Sequence, residues 1–390
     1  MSSRRIHISL QPEVLRWARE RSGLGIEELA RKVGVKPARV EEWEKSGRIS
    51  LVQIDKLAHH THTPLGFLYL PEPVEDRLPI SDFRTFGDRP LRRPSPELLD
   101  TVHMMQRRQA WMRDELIEEG SEPLSFVGSA DLAEEPTAVA RDMRSHLQLE
   151  SGWADSEHTW TDALFQLRAH VEAAGVFVVL NGVVANNTHR KLDPEEFRGF
   201  ALVDEYAPLI FVNNADYKAA QMFTLVHELA HVWTGTEGVS NFAGPLTPLP
   251  NNIERFCNRA AAEFLVPENE LRAVWGVARR QENPYDFLAK HFKVSSLVAA
   301  RCALDLNLID RESYFDFYRA WEDDTRREQA GSEGGGNFWN NQNFRIGKRF
   351  GTAVIQAVKE GRLLYRDAYS LTGLKGETFN ELVQRYGENT

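Results

Sequence analysis

The stretch Phe223-Thr-Leu-Val-His227-Glu228-Leu-Ala-His231-Val-Trp-Thr234 holds two histidines four residues apart, with a glutamate directly after the first. No proline or glycine interrupts it, and Leu225, Leu229, Val232 and Trp233 supply an apolar face, so a helix over residues 216–233 is predicted. Residues four apart on a helix share a face, so His227 and His231 can offer imidazole nitrogens to one ion about 2 Å away. Glu228 lies about 100° further round, placed to act as a base beside the ion without binding it. This His-Glu-x-x-His spacing is the pattern of a catalytic zinc helix.

A site of that kind takes three protein ligands and keeps one position open. The text Ile253-Glu254-Arg-Phe-Cys257-Asn258-Arg-Ala-Ala-Ala-Glu263-Phe-Leu-Val-Pro267 predicts a second helix over residues 252–265 with two interior carboxylates. Glu254 and Glu263 are nine residues apart and therefore on opposite faces, so only one can look at the ion. Glu254 shares its face with Asn258 and Ala261, whose short side chains suit close helix approach and hydrogen bonding to a ligand, and it is the expected third ligand. Three short apolar runs, residues 176–180, 199–203 and 209–212, precede the zinc helix and predict a small sheet.

Together the strand Leu209-Ile-Phe-Val-Asn-Asn214, the segment Phe223 to His231, and the pattern Glu254-x-x-Cys257-Asn258-x-x-Ala-Ala262-x-Phe-Leu-Val-Pro267 resemble the ImmA/IrrE metallopeptidases, over roughly residues 175–268. The resemblance implies a zincin-like metallopeptidase core, one Zn2+ per chain on His227, His231 and Glu254, and Glu228 as the catalytic acid/base. It also implies a protein substrate, because members act on repressors of mobile elements and on stress regulators. Cys257 departs from the alanine common in that family and is expected to be a small buried hydrophobe. In the expected reaction zinc polarises the scissile carbonyl and acidifies a water, and Glu228 passes its proton to the leaving amine. An extended substrate is expected to pair along an exposed edge of the strand at residues 209–213. Tyr206, Tyr217 and His189 lie near enough in sequence to be weighed as oxyanion donors, and none is singled out.

The N-terminal text Ile26-Glu-Glu-Leu29-Ala30-Arg-Lys-Val33-Gly34-Val35-Lys36-Pro37-Ala-Arg39-Val40-Glu-Glu-Trp43 reads as a helical hairpin with Gly34 at the tight turn. It resembles the Xre-type helix-turn-helix domains over about residues 9–70. The likeness implies a recognition helix starting near Lys36, with Lys36 and Arg39 toward the major groove and Arg31, Lys32 and Lys45 toward phosphates. Glu41, Glu42 and Glu44 make that helix acidic, which is the argument for a protein-binding bundle instead. Tyr365 to Leu382 aligns without gaps on Ile26 to Trp43, and Leu288 to Arg301 forms a third hairpin with Ser295 as N-cap. Both are read as structural or partner-binding.

The 390 residues carry a net charge of −10, which excludes a protein that coats nucleic acid indiscriminately. The charge is uneven: residues 1–70 hold 12 Lys+Arg against 8 Asp+Glu, the remainder 35 against 49. No apolar run reaches membrane length, no signal-peptide text is read, and two cysteines fit a reducing compartment, so a cytoplasmic protein without a membrane partner is expected. The fold class expected is mainly α with a small β-sheet. Its parts are the helix-turn-helix domain (1–70), a Pro/Arg-rich linker and helix (71–135), the metallopeptidase (136–275), a helical hairpin on it (276–328), a Gly/Asn-rich linker (329–343) and a helical C-terminal segment (344–390). The functional expectation is a regulator that binds a double-stranded DNA operator, as a monomer or homodimer, and cleaves a repressor or other regulatory protein. The rival is a repressor or antitoxin-like binding protein whose zinc is structural.

Overall fold

The computed structural model describes residues 7–75, 77–84, 93–241, 251–322 and 338–387. The chain divides into two units, one of residues up to Leu78 with Arg93–Asp100, the other of Pro79–Arg84 and the described residues from Thr101 onward. In the first, β1 (His7–Ser9) pairs antiparallel with β2 (Arg48–Ser50) around helices α1 (Pro12–Arg21), α2 (Ile26–Val33), α3 (Pro37–Ser46) and α4 (Leu51–His60), followed by a short 3-10 helix, Leu65–Tyr69. Val14, Leu15, Leu29, Val33, Val40, Trp43, Ile49 and Leu57 form its core. Gly34 takes the left-handed conformation at φ 80° between α2 and α3, as the turn requires.

The second unit is built round a five-stranded sheet ordered β3-β9-β7-β8-β4. Its strands are β3 (Ser81–Asp82), β4 (Phe177–Asn181), β7 (Gly199–Leu202), β8 (Leu209–Asn213) and β9 (Gly238–Ser240), with a separate ribbon of β5 (Val183–Val184) and β6 (Asn187–Lys191). β4 runs parallel to β8, β7 antiparallel to both β8 and β9, and β3 parallel to β9. The unit also holds helix α5 (Pro96–Glu118) from Thr101 onward, α6 (Pro136–His146), α7 (Trp160–Ala173), α8 (Lys218–Thr234), α9 (Asn252–Leu265), α10 (Glu268–Ala278), α11 (Pro284–Phe292), α12 (Ser296–Asp305) and α13 (Arg311–Glu322). Four more follow: α14 (Phe338–Ile346), α15 (Lys348–Lys359), α16 (Tyr365–Thr372) and α17 (Gly376–Gly387). The architecture is mainly helical with small sheets, as the periodicity of the text indicates.

α8 lies against β7 and β8, α9 against α8, and α6 against α9. One continuous core joins Val178, Ile210 and Val212 of the sheet to Leu225 and Leu229 of α8, Phe256 and Phe264 of α9, and Leu288, Phe292 and Ala299 of the α11–α12 hairpin. Burial of that hairpin's apolar side chains inside the peptidase core, about 1.5–3 kcal/mol for each large one, makes it part of the scaffold.

Three expectations change. β8 is not an edge, because the parallel β4 and the antiparallel β7 pair with it on both sides, leaving no free backbone edge for a substrate. The text read as a linker at residues 71–95 contributes β3, whose register places Ser81 opposite Gly238 and Asp82 opposite Val239. Of the Gly/Asn-rich stretch, 329–337 falls outside the described residues and 338–343 is helical, in α14.

Candidate metal centre

α8 brings His227, Glu228 and His231 to the sheet face, and all three are fully buried, with Glu254 of α9 at 2% exposure. His227 and His231 face each other through Nε2 at 3.0 Å, and Glu254 reaches both, Oε2 to His227 Nε2 at 3.4 Å and Oε1 to His231 Nε2 at 3.0 Å. Ligand atoms of these three residues lie within 4.8 Å of one another, and this is the group among the described residues that could hold a metal ion. Ligands about 2.1 Å from a tetrahedral zinc stand roughly 3.4 Å apart, so the donor set fits.

The hydrogen bonds behind the imidazoles support that fit. His227 Nδ1 lies 2.8 Å from Asn258 Oδ1, an acceptor, so Nδ1 carries the proton and Nε2 keeps its lone pair for a cation. His231 Nδ1 lies 2.8 Å from Thr236 Oγ1, which is itself 2.8 Å from Thr234 Oγ1. Asn258 shares the ligand face of α9 because it sits one turn after Glu254. Thr236 arrives through Gly235, which ends α8 at φ 68° and turns the chain back over the helix end.

Burial raises the carboxyl of Glu254, but His227 and His231 outweigh it and hold the group at about 2. Burial lowers His227. In His231 burial also acts downward, and Cys257, Glu254 and Glu228 together raise it well above the usual histidine value. Glu228 is the opposite case. Burial pushes its carboxyl up to about 8, His231 pulling down and Glu254 adding to the rise. Among the described residues neither of its oxygens has a hydrogen-bond partner of normal geometry, although the Ser240 hydroxyl is close enough to lower its pKa. The carboxyl thus stands beside the centre without a bond that commits it elsewhere, as a group that passes protons there requires.

Close packing of α8 on β7 sets the position of Glu228. A Cβ built on Gly199 would lie 2.5 Å from Thr224 Cγ2, 2.9 Å from the Phe211 carbonyl and 3.1 Å from Glu228 Oε1. Gly199→Ala should therefore cost about 1–3 kcal/mol by overpacking, read as a fall in the unfolding midpoint of the metal-free chain. An unchanged midpoint would contradict this helix-on-strand contact.

Glu263 sits on the far side of α9, where its Oε2 accepts the Glu268 amide at 3.3 Å and burial raises its pKa. Cys257 is a buried free thiol beside His231, outside the metal-competent group. Tyr217 is half-exposed at the start of α8, some ten residues from His227, and His189 is exposed on the β5–β6 ribbon. Three neighbours escape a reading of the text alone. They are Ser240, whose Oγ lies 3.5 Å from Glu254 Oε1, Thr236, and Phe83, whose ring stacks on His231 with centroids 5.6 Å apart and planes 13° from parallel.

In the N-terminal unit Lys36 is the N-cap of α3, and Arg31, Lys32, Lys36 and Lys45 are exposed. Arg39 is half-buried and paired with Glu42 one turn on, and Lys32 pairs with Glu28 at 3.8 Å. Glu44 turns into the bundle, where Arg19 binds it through Nε at 2.6 Å and Nη2 at 3.0 Å. Of the three acids on α3 only Glu41 is left without an ion pair on the exposed face among the described residues.

Residues 15–68 match the helix-turn-helix family, 171–303 the IrrE N-terminal-like domain, and 346–385 a domain of unknown function. No curated protein and no solved structure shows significant similarity to the chain. The IrrE-like match takes in the zinc-type helix, the carboxylate helix and the α11–α12 hairpin that shares their core. The chain thus joins a helix-turn-helix domain to a peptidase domain of the IrrE N-terminal-like, ImmA/IrrE type.

Proposed function

We propose that this protein is a DNA-binding regulator with a zinc-dependent endopeptidase activity directed at another regulatory protein, such as the repressor of a mobile element or stress response. The observation that carries the reading is the meeting of His227, His231 and Glu254 around one point, with the weakly committed carboxyl of Glu228 beside it. Zinc bound there would supply a Lewis acid for a peptide carbonyl and for water. The chain supplies the rest. Asn258 and Thr236 hold the imidazoles by Nδ1 and so leave Nε2 for an ion, Glu254 would complete the ligand set, and Glu228 would take a proton from water and return it to the leaving amine. A peptide must also reach the site, and complete burial of the four residues favours a second reading, a structural zinc in a repressor or antitoxin-like protein. The two separate at Glu228, whose carboxyl matters to hydrolysis and not to metal binding.

For the N-terminal unit we propose that Lys36 and Arg39 face the major groove of a duplex operator and that Arg31, Lys32 and Lys45 contact phosphates. The exposed cations of α2 and α3, with Glu44 withdrawn, support this surface. Arg39→Ala should weaken specific binding by about 1–3 kcal/mol and non-specific binding much less. The check is a titration of operator and random duplex at one salt concentration, after selection of genomic fragments by the whole protein. Equal losses on both duplexes would remove Arg39 from base contact.

A further inference from the structure

The segment Ser81–Arg84 is held against the metal centre more firmly than its two-residue strand requires. Besides the two register pairs, the Phe83 amide donates to the Val239 carbonyl at 3.0 Å. The Phe83 ring lies on His231 and over Gly238, where a Cβ would come within 2.2 Å of ring atom Cε2, so residue 238 provides the floor for that ring. Arg84 follows with its side chain entirely buried. Its Nε and Nη2 grip Asp82 at 2.8 and 2.7 Å in a two-pronged pair, and Nη1 reaches Glu196 at 3.0 Å, 112 residues further on. The pair with Asp82 is internal to the segment and stiffens it, while the bond to Glu196, between β6 and β7, fastens it to the rest of the unit.

Among the described strands the sheet ends in β3 and β4, and the end that lies next to this centre is the one β3 occupies. β7 and β8 are interior, and β4 is three strands from β9, roughly 14 Å at the usual strand spacing. β9 is the strand beside the site, through Ser240 at Glu254 and Gly238 under the ring that covers His231. Its outer edge is taken by β3. Resting on the peptidase reading above, we propose that the outer edge of Gly238–Ser240 is the docking edge for an extended peptide substrate, and that Ser81–Arg84 is its resident occupant, a strap that must leave before substrate enters. The Phe83 position then marks a subsite for an aromatic or large apolar side chain, floored by Gly238 and walled by the His231 ring.

The test uses the zinc-loaded full chain and reads access to the metal. Arg84→Gln breaks the grip, whereas Phe83→Gly keeps the ion pairs and removes the ring. Each should keep its zinc stoichiometry yet lose zinc to EDTA about tenfold faster, the effect of a local opening made easier by roughly 1.4 kcal/mol. Hydrogen exchange at the residue-83 amide and at β9 should rise in parallel. A synthetic peptide copying residues 79–84, added to the Arg84→Gln protein, should slow both processes, and a scrambled peptide should not. Wild-type rates of zinc loss in variants whose residue-83 amide exchanges freely would overturn the proposal. If the chain binds no zinc, the peptidase reading fails separately. Exchange then decides the strap: protection of residues 238–240 by the copied peptide supports it, and no protection refutes it.

Discussion

Glu254→Ala should empty the zinc site, while Glu263→Ala should leave one ion per chain. Both residues are carboxylates of one helix, nine positions apart, so composition and helix propensity are nearly matched between the two variants. They differ in where the carboxylate points. Glu254 stands 3.0 and 3.4 Å from the two Nε2 atoms, whereas Glu263 accepts a backbone amide on the opposite face. Residues that merely orient a ligand are worth roughly 10–100-fold in metal affinity, so loss of a ligand should cost more, and Asn258→Ala should fall within that range. Metal analysis after dialysis, with competition against a chelator of known affinity, measures all three. Full zinc in Glu254→Ala together with loss in Glu263→Ala would overturn the assignment.

The residues proposed for the metal centre were legible because each is local to a helix. His227, Glu228 and His231 follow from a spacing of one turn, Glu254 and Asn258 from another, and the boundaries of α2, α3, α8 and α9 from capping text and apolar period. The surroundings were not, because they depend on strand order. A strand of two residues such as Ser81–Asp82 has no period to detect, and its proline-rich flanks read as linker. β8 looked available as an edge because nothing in Leu209-Ile-Phe-Val-Asn213 records that it lands parallel beside the earlier β4. Phe83 and Ser240 meet the site only through that order. Glu44 shows the same limit in the N-terminal unit, where three acids on one helix look alike until Arg19 is found to draw one of them inward. Gly199 carried a usable hint, a glycine opening strand text just where a helix must approach closely.

Glu228→Gln separates a peptidase from a protein that only binds zinc and DNA. The amide keeps the size of the side chain and removes the base, so zinc content and fold should stay while hydrolysis falls by about 10²–10⁴-fold or more. In the metal-free chain the substitution should also raise stability, most above pH 8. The sign follows from the shift: burial raises this carboxyl from an ordinary value near 4.5 to about 8, so the folded state loses stability as pH rises through that interval, and an amide has no such loss. The most direct measurement compares the length and abundance of regulators encoded beside this protein in cells carrying the wild-type or the Glu228→Gln chain, under conditions that trigger the response, with zinc measured in both purified proteins. The account predicts a shortened regulator with the wild type alone and equal zinc in the two. Equal regulator length and abundance, with zinc present and the response unchanged, would contradict it and leave a binding protein with a structural metal.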